Sequence, residues 1–389
     1  MELQGNLLMN EINNSEKTIQ KKSLNVSLDI ARCLAILLVI LNHAVESYYN
    51  LEEYDHAIAI DSFERSGIMF LFTLGRLGVP LFLFITGYLL LHRDYDSPGS
   101  IRHFWIHNLL SIIVTWEIWL VLYNIFLAYM NQTAFDVNMW IRQALFVDKI
   151  EITHYWYVPM IIGVYFFIPF IAKGIKNVAK PYLYIILAVC IVTLFVVPSI
   201  NTFYSAFEMD LLSLKATPVF IATFPVTFIF MGHLFYLNRN SGRMPVAVRI
   251  IIDSAVFTAS LIVSVYLQIF LHQNGSQYNI WYSFFTLPPM AYALFDLLNM
   301  IPLKRIYLIR RISICSFGIY LIHRPVQMLF EQKVPLFSHT DGTQLFIGTM
   351  WLLFLVSFVI SYLLTEGLAA IPIAGELLVR VRKKKIRIF

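Results

Sequence analysis

Long apolar stretches alternate with short polar segments along this chain of 389 residues. An α-helix rises about 1.5 Å per residue, so about 20 apolar residues cross the hydrocarbon core of a bilayer. Backbone groups in lipid must be paired within the chain, and an apolar run achieves this as a helix. The pattern predicts an all-α, polytopic membrane helix bundle of about ten transmembrane helices, over residues 28–48, 67–91, 104–130, 155–172, 182–200, 216–237, 247–271, 280–302, 312–331 and 343–365.

Charges between these stretches predict how the bundle is oriented. Basic side chains gather in every second loop, and acidic or nearly neutral segments occupy the loops between them. Lysine and arginine are retained on the cytoplasmic side, so the basic loops are predicted to be cytoplasmic. With ten spans, both termini lie on the same side as these loops and are predicted to be cytoplasmic as well. The basic side chains of the even-numbered loops are His92, Arg93, Arg102, His103, Lys173, Lys176, Lys180, Arg239, Arg243, Lys304, Arg305, Arg310 and Arg311.

The same arrangement divides the chain into three parts. Residues 1–27 are polar and lack the apolar core of a secretory signal, so they are predicted to form a flexible cytoplasmic tail. Residues 28–367 are the predicted transmembrane domain. Residues 368–389 end in a polybasic stretch that is predicted to lie against anionic lipid in the cytoplasm. These charges lack the aromatic or glycine pattern of a base-reading surface, so nucleic acid is not an expected partner.

Composition supports the prediction of a membrane protein and limits the kinds of site that are expected. Hydrophobic residues make up 58% of the chain and charged residues 14%, which argues against a soluble domain. The three cysteines lie inside apolar stretches, so neither a disulfide framework nor a metal site is expected. Prolines and glycines inside several stretches, such as Gly78 and Pro80, are predicted to break helices around a polar cavity.

Two ionisable residues, Arg32 and His43, lie in the first stretch. An ionised residue at the centre of a membrane helix costs about 2.5–3.5 kcal/mol, so each is a functional candidate. On one helix they point within about 20° of the same direction, about 16.5 Å apart along the axis. Arginine suits phosphate binding and histidine suits proton transfer, with Glu46 placed to orient the His43 ring. The alternatives are a surface pair of Arg32 with Asp29 and an interhelical hydrogen bond for His43.

Further candidates lie in the second, fourth and ninth stretches. Arg76 is flanked by apolar residues and is predicted to face the cavity, where it either binds a substrate or pairs with Glu117 of the third stretch. Tyr320 and His323 share a helix face, and they either contact the acceptor and carry a proton or are satisfied within the bundle. Trp156 lies in the run HYWY, whose alternative role is an interfacial aromatic belt.

Four of these segments together resemble the acyltransferase 3 family of integral-membrane acyltransferases. They are Arg32 and His43 with ten residues between them, RLGVPLFLFITGYLL, HYWYVPMIIGVYFFIPF and SFGIYLIH, and together they extend over nearly the whole chain. The resemblance implies O-acylation, commonly O-acetylation, of an extracytoplasmic carbohydrate at the cell membrane of a bacterial-type envelope. No tightly bound cofactor is implied, and acyl-CoA, in particular acetyl-CoA, is the expected co-substrate.

Matched position by position, the resemblance implies roles for single residues. Arg32 and His43 match the pair that the family needs for activity, with His43 as the catalytic group. Trp156, Tyr320 and His323 fall on recurrent positions and are expected to bind donor or acceptor.

The chain also departs from the family pattern. Arg76 matches the arginine before the second-helix motif, but Thr86 stands where a serine is usual. The third helix begins with RHFWIHN, which is less basic than is usual. Donor phosphate binding through Arg102, His103 and His107 is therefore expected to be weaker or differently arranged.

The leading hypothesis is a membrane O-acyltransferase. His43 would act as general base or transiently carry the acyl group, and Arg32 would hold the donor phosphates. The expected partners are the lipid bilayer, acyl-CoA and a carbohydrate acceptor. The alternative is an exporter of a cell-surface polysaccharide or its precursor, because kinked helices with buried arginines also suit transport. A scaffold without chemistry is a third hypothesis, and it predicts that Arg32, His43 and Arg76 tolerate substitution.

Overall fold

The described part of the chain is mainly helical in a computed structural model. The structure describes residues 26–47, 62–148, 152–212, 224–239, 244–274, 280–300, 306–337 and 347–381, and no strand occurs among them. The helices are α1 Val26–Ser47, α2 Ser62–Gly75, α3 Gly78–Leu90, α4 Pro98–Phe104, α5 Leu110–Asn131, α6 Val137–Ala144, α7 Tyr157–Ile175, α8 Lys180–Ile191, α9 Val197–Ala206, α10 Phe224–Asn238, α11 Val246–Gln273, α12 Leu287–Met300, α13 Tyr307–Lys333, α14 Ile347–Ala370 and α15 Pro372–Leu377. Two π-helical turns, Trp105–Leu109 and Val192–Val196, join α4 to α5 and α8 to α9, and a 3₁₀ turn, Thr153–Trp156, precedes α7.

Seven helical segments of the described chain are long and apolar enough to cross a membrane, which confirms a polytopic helical membrane protein. They are Val26–Ser47, Arg65–Leu90, Pro98–Asn131, His154–Ile175, Lys180–Ala206, Val246–Gln273 and Gly348–Ala370. The other three predicted spans contain α10, α12 and α13. Helices α10 and α12 have only 15 and 14 residues. Helix α13 has 27 residues but carries charges such as Arg311 and Arg324. Ten spans and cytoplasmic termini stay predictions.

Helix α1 and the α2–α3 segment occupy the interior of the bundle. In their most apolar windows, 67% and 78% of the residues are buried, compared with 17% in α11. The apolar outer face of α11 is exposed, as expected for a surface that contacts lipid. Helix α3 packs against α10 and α12, α2 packs against α11, and α13 packs against α14. Helix α1 also contacts α13, where Gln327 donates a hydrogen bond to the Ile40 carbonyl (3.3 Å).

The second span is broken between α2 and α3 by two residues, the first of which is Arg76. Glycines on both sides bring the break against α1. A Cβ on Gly75 would lie 2.7 Å from Asn42 Cβ, and one on Gly78 would lie 2.7 Å from the Ala35 carbonyl oxygen. Because only glycine permits this approach, the break holds Arg76 beside α1.

Helices α3 and α10 cross with almost no space between their backbones. A Cβ on Gly87 would overlap the Ile229 carbonyl, and one on Gly232 would overlap the Phe84 carbonyl. Helices in lipid gain little from apolar burial against one another, so close packing at small residues is a main source of their association. This crossing fixes α3 and therefore one side of the break at Arg76.

Loops that the charge pattern assigns to the cytoplasm lie together at one end of the bundle. Lys176, after α7, pairs with Asp94 after α3 (3.4 Å). Lys180 donates a hydrogen bond to the Leu237 carbonyl near the end of α10 (3.0 Å). These contacts agree with the alternation of loop charges along the sequence.

The chain stays helical beyond residue 368, where the C-terminal segment is predicted to begin. Helix α14 continues to Ala370, and α15 follows it. The Trp119 indole donates a hydrogen bond to the Leu378 carbonyl (2.7 Å), which ties this segment to α5. The polybasic stretch after residue 381 and residues 1–25 of the predicted N-terminal tail lie outside the described residues.

Replacing Gly87 with alanine is expected to destabilise the bundle. The added methyl group would overlap backbone, so α3 and α10 would have to separate. Overpacking of this kind costs about 1–3 kcal/mol, and thermal unfolding of the solubilised protein measures it. Gly163→Ala is the control, because a Cβ there meets nothing within 4 Å. Equal melting temperatures for the two variants would contradict the crossing.

Candidate active site

Three histidines from distant parts of the chain meet in the bundle interior. His43 lies on α1, His154 in the 3₁₀ turn before α7 and His323 on α13. Ring centroids are 5.8 Å apart for His43 and His154, 5.5 Å for His43 and His323, and 5.0 Å for His154 and His323. We call these three residues the histidine cluster. Among the described residues, no three His, Cys, Asp or Glu side chains are placed to hold a metal ion together.

The Glu46 carboxylate connects the histidine cluster to Arg76. His43 Nδ1 lies 2.9 Å from Glu46 Oε2, and Arg76 Nη2 lies 3.5 Å from Glu46 Oε1. A carboxylate only accepts hydrogen bonds, so this contact fixes a hydrogen on His43 Nδ1 and leaves Nε2 able to accept a proton. The geometry gives Glu46 the orienting contact that its spacing from His43 predicts.

Aromatic rings surround the buried Arg76 side chain. Its guanidinium carbon lies 4.4 Å from the ring centroid of Phe72, 4.8 Å from that of Trp281 and 5.1 Å from that of Tyr282. Its Nε donates a hydrogen bond to the Ile280 carbonyl (3.1 Å). Cation–π contacts and a nearby carboxylate together compensate for the loss of water around this charge.

The alternative pairing of Arg76 with Glu117 is wrong. The carboxylate partner of Arg76 is Glu46, because the break in the second span turns this side chain toward α1. Within the described part of the chain, Glu117 makes no ion pair. No described contact therefore supports a role for Glu117 in the site.

Helix α13 contributes Tyr320 and His323 to the cluster. The Tyr320 hydroxyl donates a hydrogen bond to the His154 carbonyl, and His323 Nδ1 donates to the Tyr320 carbonyl (2.7 Å). Arg324, the next residue, donates to the Ser47 hydroxyl at the end of α1 (2.7 Å). The face that Tyr320 and His323 share is thus directed at α1 and the turn before α7.

The interfacial-belt interpretation of residues 154–157 is wrong for its first two residues. His154 is 1% exposed and Tyr155 is 0% exposed, because the 3₁₀ turn directs both into the bundle. The Tyr155 ring packs on Tyr123, with centroids 4.1 Å apart. Trp156 is half-buried and packs on Tyr282 (5.3 Å), so it lies on the Arg76 side of the site.

Three buried polar residues near the site were not predicted as site residues, namely Asn42, His154 and Gln327. The Asn42 amide, both His154 ring nitrogens and Gln327 Oε1 have no hydrogen-bond partner among the described residues. A signal for them was available, because each is a polar residue in or beside an apolar stretch. The cost argument that selected Arg76 applies to them as well.

Arg32 lies near the other end of α1. Its Nη1 is 3.8 Å from Asp29 Oδ1, so the alternative pair suggested by the spacing is present. Asp29 also accepts a hydrogen bond from the Ser313 hydroxyl of α13 (2.8 Å). The Arg32 side chain is 31% exposed, and with five N–H groups it retains donors for a further anion.

A pocket of about 620 Å³ lies at the end of the bundle where the basic loops gather. His103 and His107 of the RHFWIHN segment line it, whereas Arg102 is not among its described lining residues. Burial raises the pKa of Tyr95 to about 12, and its hydroxyl has no partner among the described residues, so it stays a donor at neutral pH. The described lining residues are Arg93, Asp94, Tyr95, Ser100, His103, Phe104, His107, Asn108, Ser111, Glu376 and Arg380.

This fold and site define a multi-pass helical membrane protein with a half-buried histidine–carboxylate pair. A family model described as an acyltransferase domain, Acyl_transf_3, matches residues 25–366, and the chain belongs to this family. The protein is therefore a membrane acyltransferase, and the resemblance carried by the four sequence segments is confirmed. Neither the curated proteins nor the solved structures that we compared with the chain gave a match.

Replacing Glu46 with glutamine is expected to lower acyl transfer by at least about tenfold. Glutamine keeps the size of the side chain but no longer stabilises a protonated His43, and losses of about 10–100-fold are usual for such supporting contacts in metal sites. Initial rates of thiol release from an acyl thioester measure the effect. Glu117→Gln is the matched control, and equal activity of both variants would contradict the role of Glu46.

Proposed function

We propose that the protein transfers an acyl group, most simply acetyl, from cytoplasmic acyl-CoA to a hydroxyl group of an extracytoplasmic cell-envelope glycan in a bacterial-type cell membrane. The observation that carries this proposal is the carboxylate-oriented imidazole of His43 inside a membrane acyltransferase. A second observation is the polar pocket at the end of the bundle that the loop charges assign to the cytoplasm. The two sites suit an acceptor and a donor that come from opposite sides of the bilayer.

In the proposed reaction His43 is the general base. Its Nδ1 hydrogen is held by Glu46, so Nε2 takes the proton of the acceptor hydroxyl as the oxygen attacks the thioester carbon. The imidazolium that forms is stabilised by the Glu46 carboxylate on its other nitrogen. Burial among the helices keeps water from competing with the acceptor for the thioester.

The donor is proposed to bind with its nucleotide in the cytoplasmic pocket. Arg93, His103, His107 and Arg380 provide donors for phosphate groups, and Tyr95 adds an unpartnered hydroxyl. In this proposal the pocket lining takes the role of the denser basic cluster that the family pattern has at the start of the third helix. Asp94 and Glu376 in the same lining reduce its positive charge.

A row of aromatic residues supports a path from this pocket to the histidine cluster. Phe104 of the pocket wall packs on Tyr165 of α7, with centroids 5.8 Å apart. Eight residues earlier on α7, about 12 Å along the helix, Tyr157 packs on Tyr320 (5.5 Å). We propose that the pantetheine arm follows this row, with Arg32 beside its phosphate end.

Replacing His43 with alanine is expected to abolish acyl transfer while the protein still inserts and accumulates. The reason is that, within the histidine cluster, His43 alone has a described carboxylate on its Nδ1 atom. CoA release by membranes supplied with acetyl-CoA, and the mass of surface glycans from cells with and without the gene, measure the activity. Normal acylated product from the variant would reject the assignment, and an exporter would release no CoA from either protein.

Replacing Arg32 with glutamine is expected to raise the KM for acetyl-CoA by about tenfold with a smaller change in kcat. Loss of one phosphate contact weakens binding of the donor equally in the ground state and in the transition state. A tenfold change in KM corresponds to about 1.4 kcal/mol. The control is acetyl-pantetheine, which lacks the nucleotide phosphates and should show no difference between variant and wild type. An equal loss with both donors would show that Arg32 acts through Asp29 on the fold.

A further inference from the structure

The chain segment that leads into α12 and covers Arg76 is fixed by a buried glutamine of α11. This segment supplies two of the three aromatic rings that surround the Arg76 guanidinium. At its start, the backbone N–H of Ile280 donates a hydrogen bond to Gln268 Oε1 (2.9 Å). Its end is held from the same helix, because the hydroxyls of Ser264 and Thr286 lie 2.5 Å apart. Helix α11 therefore sets the position of the segment at both ends.

Gln268 also bonds to the helix from which Arg76 extends. Its Nε2 donates to the hydroxyl of Thr73, three residues before Arg76 (2.9 Å), and to the Ser264 carbonyl (3.0 Å). The Gln268 side chain is 0% exposed, and both ends of its amide are paired. This pairing matters because an unpaired amide in an apolar interior is costly. One side chain thus connects α2 to the segment that covers Arg76.

A chain of contacts runs from Gln268 to the proposed catalytic base. The Ile280 carbonyl accepts a hydrogen bond from Arg76 Nε (3.1 Å), so Ile280 bonds to both Gln268 and Arg76. Arg76 Nη2 lies 3.5 Å from Glu46 Oε1, and Glu46 Oε2 lies 2.9 Å from His43 Nδ1. A separation of 3.5 Å is near the limit for a hydrogen bond, so a small movement of Arg76 breaks this contact. The position of Ile280 therefore controls whether Arg76 reaches Glu46.

The hydrogen bonds of Gln268 suit a role in geometry rather than in stability. An apolar side chain of similar length would fill the same space with no polar group to pair, and a paired amide gains only about 0.5–1.5 kcal/mol per hydrogen bond. Resting on the function proposed above, we infer that Gln268 is a positioning residue that holds Arg76 against Glu46. Through this carboxylate it keeps the His43 ring in the orientation that the reaction needs.

The test removes the polar atoms of Gln268 and keeps the length of the side chain. CoA release from acetyl-CoA is measured in inverted membrane vesicles from cells expressing the full chain, which retain the native acceptor, and rates are normalised to folded protein. We expect Gln268→Met to lower kcat by about tenfold, the lower end of the losses usual for supporting contacts in metal sites. The KM for acetyl-CoA should not change, because Gln268 is not among the described residues that line the donor pocket.

A second substitution separates positioning from a general loss of structure. Arg76→Lys keeps a positive charge beside Glu46 but lacks the Nε–H group that bonds to the Ile280 carbonyl. If Gln268 acts through this bond, adding Gln268→Met to Arg76→Lys should lower kcat by less than about twofold, since coupled sites are not additive. The same loss in both backgrounds overturns the inference, and so does a wild-type kcat for Gln268→Met alone.

Matched variants control for the substitution itself. Gln143→Met replaces another buried glutamine, which lies on α6 and pairs with Asn124, and it should leave kcat at the wild-type level. In case Gln268→Met does not accumulate, Thr73→Val and Thr73→Ser give an independent comparison. Valine removes the hydroxyl to which Gln268 bonds and serine keeps it, so kcat should be lower for Thr73→Val. Equal kcat values for the two Thr73 variants overturn the inference.

Failure of the proposed function would give a different result. Vesicles with the wild-type chain would then release no more CoA from acetyl-CoA than vesicles without the gene. The positioning inference fails by itself when the wild type releases CoA and the loss caused by Gln268→Met does not depend on Arg76.

Discussion

The geometry of the site depends on one half-buried carboxylate, that of Glu46. It accepts hydrogen bonds from His43 on its own helix and from Arg76 at the break in the second span. Without this carboxylate the buried Arg76 guanidinium would lose its partner of opposite charge, which is costly in an apolar interior. The two contacts set the tautomer of His43 and hold Arg76 against α1.

The pocket and the histidine cluster occupy different parts of the bundle. Basic side chains line the pocket, whereas His154 and His323 of the cluster are fully buried. In the proposed reaction this burial keeps water from the thioester. The aromatic row between them offers an apolar surface and few competing charges. The broken span and its glycine contacts place Arg76 beside α1, and the 3₁₀ turn brings His154 into the cluster, so irregular backbone occurs at the candidate site.

Local features of the site could be predicted from the sequence, and contacts between distant segments could not. Apolar periodicity gives the helices, and the three-residue spacing of His43 and Glu46 gives their contact. The partner of Arg76 depends on the direction in which the chain leaves a helix break, which no local spacing encodes. The burial of His154 could not be predicted for a related reason: the pattern of an aromatic run is the same whether its turn faces lipid or the interior.

A structure of the protein with a non-hydrolysable thioether analogue of acetyl-CoA tests the central claim most directly. The account predicts that the nucleotide lies in the pocket with His103 and His107, and that the thioether sulfur reaches the ring of His43. A nucleotide bound at the opposite end of the bundle, or a sulfur remote from this ring, would contradict it.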